Sequence, residues 1–350
     1  MKKKRIYVLL AGMVLLLLCS SCGQKKTSYY EKSNIVMDTV VTLSASGDQA
    51  EAAVEAGFKR LDELNEMASA TIPTSDISRI NAAAGKNAVK VQPEIFKMLE
   101  VSQKYSQLSD GAWDITLGPI INLWGIGTEQ QRVPAAAEIQ AALPLVGYEK
   151  ISLNEADQSV KLEKEGMALD LGGIAKGYAV DEVRRIYQNY HIESGLINLG
   201  ASSLYAVGKN KDHKDWAVGI KHPRLDDPKE YLGIIKLKEE NLSTSGDYER
   251  CFIEGDKRYH HIIDPKTGYP ADNGVMSDTV VLAADVEDGG MLSDLLTTTI
   301  FIMGAEKGVA LVNSLGIAQA EITTADYKVH TSNGFAARII NLSKDFSFAD

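Results

Sequence analysis

Residues 168–181 read Ala168-Leu-Asp-Leu-Gly-Gly-Ile-Ala-Lys-Gly-Tyr-Ala-Val-Asp181. The segment predicts a strand over 167–171 that passes through paired glycines into a helix over about 174–190. The glycines let a ligand approach the backbone closely, and the first helical turn offers unpaired N–H groups with Lys176 nearby, so the geometry suits an anion. The segment has neither the Gly-Lys-Ser/Thr ending of a P-loop nor the Gly-x-Gly-x-x-Gly spacing of a dinucleotide turn. A purely geometric role for the glycines is therefore an open alternative.

Hydrophobic periodicity on either side of this segment predicts further regular elements. Helices are predicted over 49–67, 94–107, 135–143 and 292–303, strands over 36–43 and within 150–162, and an ordered ligand-binding loop over 111–127. No internal repeat or break in composition divides the chain. We therefore predict one α+β domain over residues 34–350.

A polar group stands at the start of the otherwise apolar helix near the C-terminus, in the run Ser293-Asp294-Leu-Leu-Thr297-Thr298-Thr299. Asp294 and Thr298 are four residues apart, which places both on one face of a helix. A carboxylate and a hydroxyl are the hard oxygen donors that magnesium prefers, once backbone carbonyls and ligand phosphates complete its shell. Helix capping is the alternative, because Asp and Thr are common near helix N-termini.

Two adjacent histidines occur in the run Tyr259-His260-His261-Ile-Ile-Asp264-Pro265, which predicts a short strand followed by a turn. Strand residues alternate between faces, so only one histidine can face each side. A histidine beside a polar turn can accept a proton from a hydroxyl near neutral pH. A structural histidine is the alternative.

The N-terminal residues have the pattern of an export signal. Basic residues at 2–5 precede an apolar run over 6–18 that is too short to span a bilayer comfortably. The run Ser20-Ser21-Cys22-Gly23 is similar to a bacterial lipobox, so we predict a signal peptide over 1–21, lipidation of Cys22 and a polar tether over 22–33. The protein would then be exported and lipid-anchored to the extracytoplasmic face of a bacterial membrane. A plain secretory signal is the alternative.

Composition argues against several classes of function. The formal net charge is -10 and the pI is about 5.2, which disfavours a nucleic-acid partner because phosphate backbones attract clustered Lys and Arg. Removal of Cys19 with the signal and lipidation of Cys22 would leave only Cys251, so no intramolecular disulfide is expected. The six histidines and the one cysteine that would remain unmodified in the mature chain show no Cys-x-x-Cys or His-Glu-x-x-His spacing for zinc, and Ser243, Ser245 and Ser277 lack a nucleophile-elbow context.

Taken together, these segments resemble the FAD:protein FMN transferase family, also called ApbE. The resemblance runs in order along nearly the whole mature chain, which is more specific than any single motif. The matching stretches are 37–39, 75–81, 111–119 with 122–124, 170–181, 243–248, 261–268 and 293–298.

The resemblance implies an α+β, T-fold-related domain with mixed sheets and flanking helices. It also implies that magnesium binds the pyrophosphate of the substrate FAD, that an acceptor Thr or Ser hydroxyl attacks the FMN phosphorus, and that AMP leaves. The acceptor would be a flavoprotein subunit of a membrane redox complex. Carried over by position, the residues that line FAD would be Met37, Ala112, Trp113, Asp114, Asp170, Lys176 and Ile262. The magnesium ligands would be the backbone carbonyl of Gly173 with Asp294 and Thr298.

Within this family pattern, His261 is our candidate general base toward the acceptor hydroxyl. Two positions depart from the pattern. Thr71 stands where the family often has an aromatic residue, which predicts a lost stacking contact, and Ala201 replaces a glycine, which predicts a narrower backbone approach. Two rival hypotheses keep the same residues: a magnesium-dependent FAD pyrophosphatase that gives FMN and AMP, and a non-catalytic FAD-binding lipoprotein.

Overall fold

The computed structural model describes residues 28–225, 227 and 229–349, which form helices and mixed sheets. The helices are α1 (Ala50–Ala68), α2 (Asp76–Ala82), α3 (Pro93–Leu108), α4 (Gly118–Trp124), α5 (Ala136–Ala142), α6 (Ala175–Asn189), α7 (Gly289–Met303) and α8 (Ala305–Leu315). The strands are β1 (Tyr29–Val36), β2 (Thr39–Ser46), β3 (Val89–Lys90), β4 (Ile151–Asn154), β5 (Ser159–Leu162), β6 (Ser194–Leu199), β7 (Ser203–Gly208), β8 (Trp216–Lys221), β9 (Tyr231–Leu237), β10 (Glu240–Gly246), β11 (Cys251–Glu254), β12 (Lys257–His260), β13 (Val275–Ala283), β14 (Ala318–Thr324), β15 (Lys328–Thr331) and β16 (Ser347–Phe348).

A nine-stranded sheet in the order β1-β2-β6-β7-β10-β13-β14-β15-β16 is the centre of the fold. Its pairs are antiparallel except β15 with β16. One face carries α1 over β1 and β2, α6 over β6 and β7, α7 over β10 and β13, and α8 over β14. The other face is covered by the β8–β9 hairpin and residues 335–346. Apolar residues alternate along the strands, so each face buries its own hydrophobic cluster.

Helices α6 and α7 cross at unusually short range because two glycines meet there. A Cβ added to Gly177 would lie 2.2 Å from the carbonyl oxygen of Gly290, so neither helix could approach as closely with a side chain at this position. Asp181, on α6, accepts hydrogen bonds from the amides of Gly290 (2.9 Å) and Met291 (2.8 Å) in the first turn of α7. The crossing thus fixes the N-terminal half of α7 against the start of α6.

Two carboxyl groups are fully buried in the central sheet, on the adjacent strands β13 and β14. Neither carboxyl oxygen of Asp278 has a hydrogen-bond partner in the described part of the chain, and Glu321 accepts from the Thr323 hydroxyl at 2.8 Å. Burial raises the pKa of Glu321 to about 7, and burial together with the charge of Glu321 raises the pKa of Asp278 well above its usual value. The sheet interior therefore favours the protonated acids.

Replacing Glu321 with Gln should make stability less dependent on pH. The folded-state pKa of Glu321 lies above its unfolded value, so its contribution to stability is complete below about pH 4.5 and is lost as the pH rises through 7. Between pH 5 and 8, we expect the free energy of unfolding of Glu321→Gln to gain about 2–3 kcal/mol relative to the unmodified protein. Urea unfolding at both pH values measures this, with Glu306→Gln, at an exposed position of α8, as the control. Parallel pH curves for the two proteins would contradict it.

The structure confirms most of the predicted helices and strands. The predicted helices over 49–67, 94–107, 135–143, 174–190 and 292–303 correspond to α1, α3, α5, α6 and α7, and the predicted pair within 150–162 corresponds to β4 and β5. Pro93 occupies the first turn of α3, where its missing N–H costs nothing. These elements can be predicted from the sequence because the hydrophobic periodicity of each element and the residues that mark its ends lie within or beside the element itself.

The prediction of a strand over 167–171 is wrong. Only an isolated bridge between Leu117 and Ala168 forms there. The Asn81 side chain accepts from the backbone N–H of Leu169 (2.7 Å) and donates to its carbonyl (3.1 Å), while the N–H of Asp170 bonds the carbonyl of Ile115 (2.8 Å). A side chain and a loop therefore satisfy this backbone in place of a neighbouring strand.

Three predicted boundaries also change. The opening strand predicted over 36–43 is two strands, since Val36 pairs with Thr39 around a two-residue turn. β1 begins at Tyr29 and pairs along its full length with β2, so the folded structure begins before the domain start predicted at 34 and includes the last residues of the tether predicted over 22–33. The loop predicted over 111–127 contains α4, which has a proline in its first turn.

None of the helices within residues 28–349 that the structure describes is long and apolar enough to cross a bilayer.

Candidate active site

A cleft of about 400 Å³ opens where the β1–β2 turn, the loop before α4, the start of α6, the middle of α7 and the segment after β12 meet. All the cleft residues predicted from the sequence line it: Met37, Ala112, Trp113, Asp114, Asp170, Gly173, Lys176, His261, Ile262, Asp294 and Thr298. The fold thus brings distant segments to one place. Cys22, the predicted lipidation site, lies outside the described residues.

The start of α6 forms one wall of the cleft. The Asp170 carboxylate accepts from the N–H of Gly172 at 2.8 Å, and the Lys176 ammonium donates to the Gly172 carbonyl at 2.8 Å. A Cβ on Gly173 would lie 2.9 Å from the Trp113 ring and 3.1 Å from the hydroxyl of Thr298. Glycine at 173 therefore lets the backbone lie directly against both groups. The paired glycines therefore have two roles: they form the turn before α6, and they let the backbone line the cleft.

Asp294 does not cap α7. The helix begins at Gly289, five residues earlier, and its first amides bond Asp181. The Asp294 carboxylate is buried and accepts from the Ser203 hydroxyl at one oxygen and from the N–H of Gly177 at the other, both at 3.0 Å. Capping of its own helix is therefore excluded as the reason for this carboxylate, which instead binds a first-turn N–H of α6 and joins α7 to α6 and β7.

Three oxygen groups of the cleft could act as ligands of a hard cation: the Asp294 carboxylate, the Thr298 hydroxyl and the Gly173 carbonyl. The N–H of Gly177 donates to the carboxylate at 294, which leaves the Gly173 carbonyl without the partner that it would have in a regular helix. The hydroxyls of Thr297 and Thr299 bond carbonyls of their own helix, whereas that of Thr298 has no protein partner in the described part of the chain. The described residues contain no group of three or more His, Cys, Asp or Glu that could hold a metal. Magnesium fits this carboxylate, hydroxyl and carbonyl set if ligand oxygens complete its shell.

The two adjacent histidines have different environments. His260 ends β12 and is buried, with Nε2 3.0 Å from the Ala271 carbonyl and Nδ1 accepting from the N–H of Ile262 at 3.3 Å. Its ring also packs edge-on against Phe301. His261 is exposed and lines the cleft. The structure therefore gives His260 a packing role and leaves the His261 imidazole free for chemistry.

The His261 imidazole is neutral at pH 7. Desolvation by the protein around the cleft lowers the pKa of His261 below its usual 6.5, and the positive charges of Arg250 and Lys176 act in the same direction. The ring is exposed to the cleft, so water reaches it and limits the desolvation without reversing the direction of the shift. A neutral imidazole can accept a proton, as a general base must.

Asp114 lines the cleft, but its carboxylate holds the cleft wall together. One oxygen accepts from the N–H (2.8 Å) and the hydroxyl (2.6 Å) of Thr116, and the other accepts from the N–H of Tyr148 (2.9 Å). Burial raises the pKa of Asp114. The neighbouring Trp113 is also buried, and its indole N–H has no partner among the residues that the structure describes. That N–H is an unsatisfied buried donor in the cleft wall.

Arg250 contacts the β1–β2 turn and is a cleft residue that sequence analysis missed. Met37 (φ 53°) and Asp38 (φ 56°) form a two-residue turn in the left-handed region, which strains a methionine. The carbonyl of Asp38 accepts from the guanidinium of Arg250 at 3.1 Å, and Arg250 also lines the cleft. Arg250 follows the family-like stretch 243–248 by two positions. That proximity was the only sequence signal for it.

The two departures from the family pattern lie at and beside the cleft. Thr71 lines the cleft and is exposed, and its N–H bonds the Ser69 hydroxyl at 3.1 Å. Ala201 lies in the turn between β6 and β7, where its neighbours Gly200 and Ser202 line the cleft but Ala201 itself does not. Its φ is 56°, so the methyl group strains the turn and does not narrow the cleft.

Replacing Ala201 with Gly should stabilise the protein slightly, because glycine adopts positive φ without a Cβ penalty. We expect a gain of about 0.5–1 kcal/mol in the free energy of unfolding, or about 1–3 °C in the midpoint of thermal unfolding. Differential scanning calorimetry measures the shift. Loss of stability in Ala201→Gly would show that the strain is not significant.

A comparison with protein families matches residues 37–321 to the ApbE family. Among curated proteins, the FAD:protein FMN transferase of Klebsiella pneumoniae is 33% identical over 92% of this chain and 97% of its own length. The FAD:protein FMN transferase of Treponema pallidum is 30% identical over 96% of each chain.

Solved structures give the same result for the fold. The crystal structure of the ApbE protein from Thermotoga maritima superposes with a TM-score of 0.80 and 31% identity, and covers 89% of this chain and 99% of its own. The flavin transferase ApbE from Vibrio cholerae has a TM-score of 0.77 and 26% identity, again over 89% of this chain and 99% of its own.

Proposed function

This chain belongs to the ApbE family, and from that premise we propose that it uses magnesium to transfer the FMN part of FAD to a Thr or Ser hydroxyl of another protein, with release of AMP. Its relatives are FAD:protein FMN transferases, and the chain spans nearly their whole length. The chain is accordingly an enzyme of flavin transfer. Its magnesium dependence, its acceptor and its cellular location are the parts that the proposal adds.

One observation carries the proposal: an imidazole without a protein partner among the described residues and a set of hard oxygen ligands line the same cleft. His261 is exposed there while its neighbour is buried, and the Thr298 hydroxyl has no protein partner in the described part of the chain. Simple binding of a flavin does not need an activating base. A cleft with a neutral imidazole beside hard oxygen donors suits phosphoryl transfer.

The residues define a bond-making step and a bond-breaking step. His261 accepts the proton of the acceptor hydroxyl as that oxygen bonds to the FMN phosphorus. The bond between this phosphorus and the bridging oxygen of the pyrophosphate breaks, and AMP leaves with that oxygen. A phosphodiester then joins FMN to the acceptor, and the proton passes from His261 to solvent.

Magnesium would be held by Asp294, Thr298 and the carbonyl of Gly173, and when bound it would offset negative charge on the pyrophosphate. The protein prepares these donors in advance. Ser203 and the N–H of Gly177 each bond one oxygen of the carboxylate and fix its orientation. Lys176, 3.7 Å from that carboxylate, adds positive charge to the same wall.

We also propose that the chain is exported, lipid-anchored through Cys22, and acts on a flavoprotein subunit of a membrane redox complex. The basic and apolar segments before Cys22 and the family of the chain support this. Expression of Cys22→Ser in a bacterial host tests the anchor by fractionation. We expect the variant to leave the membrane fraction, and retention of Cys22→Ser in the membrane to the same extent as the unmodified protein would refute lipidation at this residue.

Intact-mass spectrometry tests the transfer. A soluble domain that begins at Ser28 is incubated with FAD, magnesium and a candidate acceptor, with a chelator in a parallel reaction. We expect the acceptor to gain the mass of one FMN with release of AMP, and the chelator to prevent both. Free FMN and AMP with an unmodified acceptor would identify a pyrophosphatase. Intact FAD with several acceptor candidates would favour a binding protein.

A further inference from the structure

The cleft contains a positive charge that no carboxylate neutralises, at Arg250. Most arginines of the described residues pair with a carboxylate, namely Arg60, Arg79, Arg132, Arg185, Arg224 and Arg338. Arg250 donates to the carbonyl of Asp38 and makes no ion pair within the residues that the structure describes. An unpaired guanidinium in a cleft is available to an anion.

The position of Arg250 connects it to the reacting end of the cleft. Its carbonyl accepts from the N–H of His261 at 3.0 Å, so its backbone is directly opposite the candidate base. Its side chain lies between Gly127 and the β1–β2 turn: the Cδ atom lies 3.7 Å from where a Cβ on Gly127 would be, and the guanidinium donates to the Asp38 carbonyl. Gly127 follows Ile126, which lines the cleft.

The charge of the remaining cleft residues makes this cation important. Asp38, Asp114, Asp170, Glu249 and Asp294 all line the cleft. The other cleft cation, Lys176, lies 3.7 Å from the Asp294 carboxylate and donates to a backbone carbonyl. Even with the proposed magnesium bound, the ion and Lys176 would not balance these carboxylates, so a further positive charge favours the entry of two negative phosphates.

Building on the proposed function, we propose that Arg250 binds the pyrophosphate of FAD and offsets its charge as AMP leaves. Arg250 is thus a substrate-binding residue. The hydrogen bond to the Asp38 carbonyl holds the guanidinium at the cleft. A guanidinium offers several donors, so it can keep this bond and contact a phosphate at the same time.

FAD affinity, measured by flavin fluorescence at several salt concentrations, tests the inference. We expect Arg250→Ala to weaken FAD binding about tenfold or more, Arg250→Lys to weaken it less, and the salt dependence of binding to become shallower in Arg250→Ala. Arg258→Ala is the matched control, since Arg258 lies on the same β11–β12 hairpin, bonds Cys251 and does not line the cleft. AMP release from FAD is a second readout, and added guanidinium ion should raise it in Arg250→Ala alone.

Two results would overturn the inference. One is an FAD affinity and salt dependence in Arg250→Ala that match those of Arg258→Ala. The other is weaker binding with an unchanged salt dependence and no rescue by guanidinium, which would mean that Arg250 acts only by holding the β1–β2 turn. Failure of the proposed function looks different: the unmodified protein would bind FAD in a salt-dependent manner without transferring FMN.

Discussion

Replacement of Asp294 with Asn is expected to reduce FMN transfer roughly a thousandfold, because the loss of a charged group that stabilises the transition state costs about 4 kcal/mol. The carboxylate is buried between α6, α7 and β7 and is the one acid among the three proposed magnesium ligands. An amide of the same shape keeps the volume and removes the charge. Transfer rates at increasing magnesium concentration measure the effect.

The thermal midpoint provides a readout besides activity. Magnesium with FAD should raise the midpoint of the unmodified protein and have little effect on Asp294→Asn, because only a bound ligand stabilises the folded state. Asp288→Asn is the matched control: Asp288 directly precedes the same helix and pairs with Lys97 (2.7 Å) and Arg185 (3.0 Å) outside the cleft. It should lose about 1 kcal/mol of stability and keep transfer. Magnesium-stimulated turnover in Asp294→Asn would refute the ligand assignment.

Replacement of His261 with Ala should slow FMN transfer by about a hundredfold to ten-thousandfold, the usual contribution of a positioned general base. FAD affinity should change little, since the cleft walls remain. Single-turnover transfer and FAD fluorescence separate the two effects. His330→Ala, on β15 outside the cleft, is the matched control. Transfer by His261→Ala at the rate of this control would remove His261 from the mechanism.

The pH dependence provides an independent test of the same residue. Catalysis requires the neutral imidazole, and the pKa of His261 is lowered in the folded protein. The rate kcat/KM should therefore be maintained as the pH falls to 6.5 and decline only at lower pH, and this decline should be absent in His261→Ala. A decline centred above pH 6.5 that persists in His261→Ala would point to a different base.

Much of the fold was predictable because its signals are local. The helices α1, α3, α5 and α6 have apolar residues at helical spacing, and Pro93 marks where α3 begins. The paired strands β4 and β5 are close in sequence, so their pairing is also a local signal. The turn from Asp170 into α6 was also visible, because paired glycines directly before an amphipathic helix indicate a tight turn at the helix start.

Contacts between distant segments decided what the sequence left open. The start of α7 is fixed by Asp181, more than 100 residues earlier, and this contact shows that Asp294 does not cap its own helix. Segment 167–171 is not a strand because Asn81 bonds its backbone. Alternation along a strand placed His260 and His261 on opposite sides, but only packing against Phe301 shows which one is buried.

The sequence by itself determined the family, the order of most elements and the residue types that line the cleft, since these depend on spacing along the chain. Only the tertiary structure decided which side chains remain unpartnered. Arg250 lines the cleft without an ion pair to a described residue, whereas the other arginines of the described residues pair with a carboxylate or lie outside the cleft. The Thr298 hydroxyl has no partner among the described residues, whereas the hydroxyls of Thr297 and Thr299 bond carbonyls of their own helix. Availability for chemistry depends on which hydrogen bonds are already made, and the folded chain alone settles that.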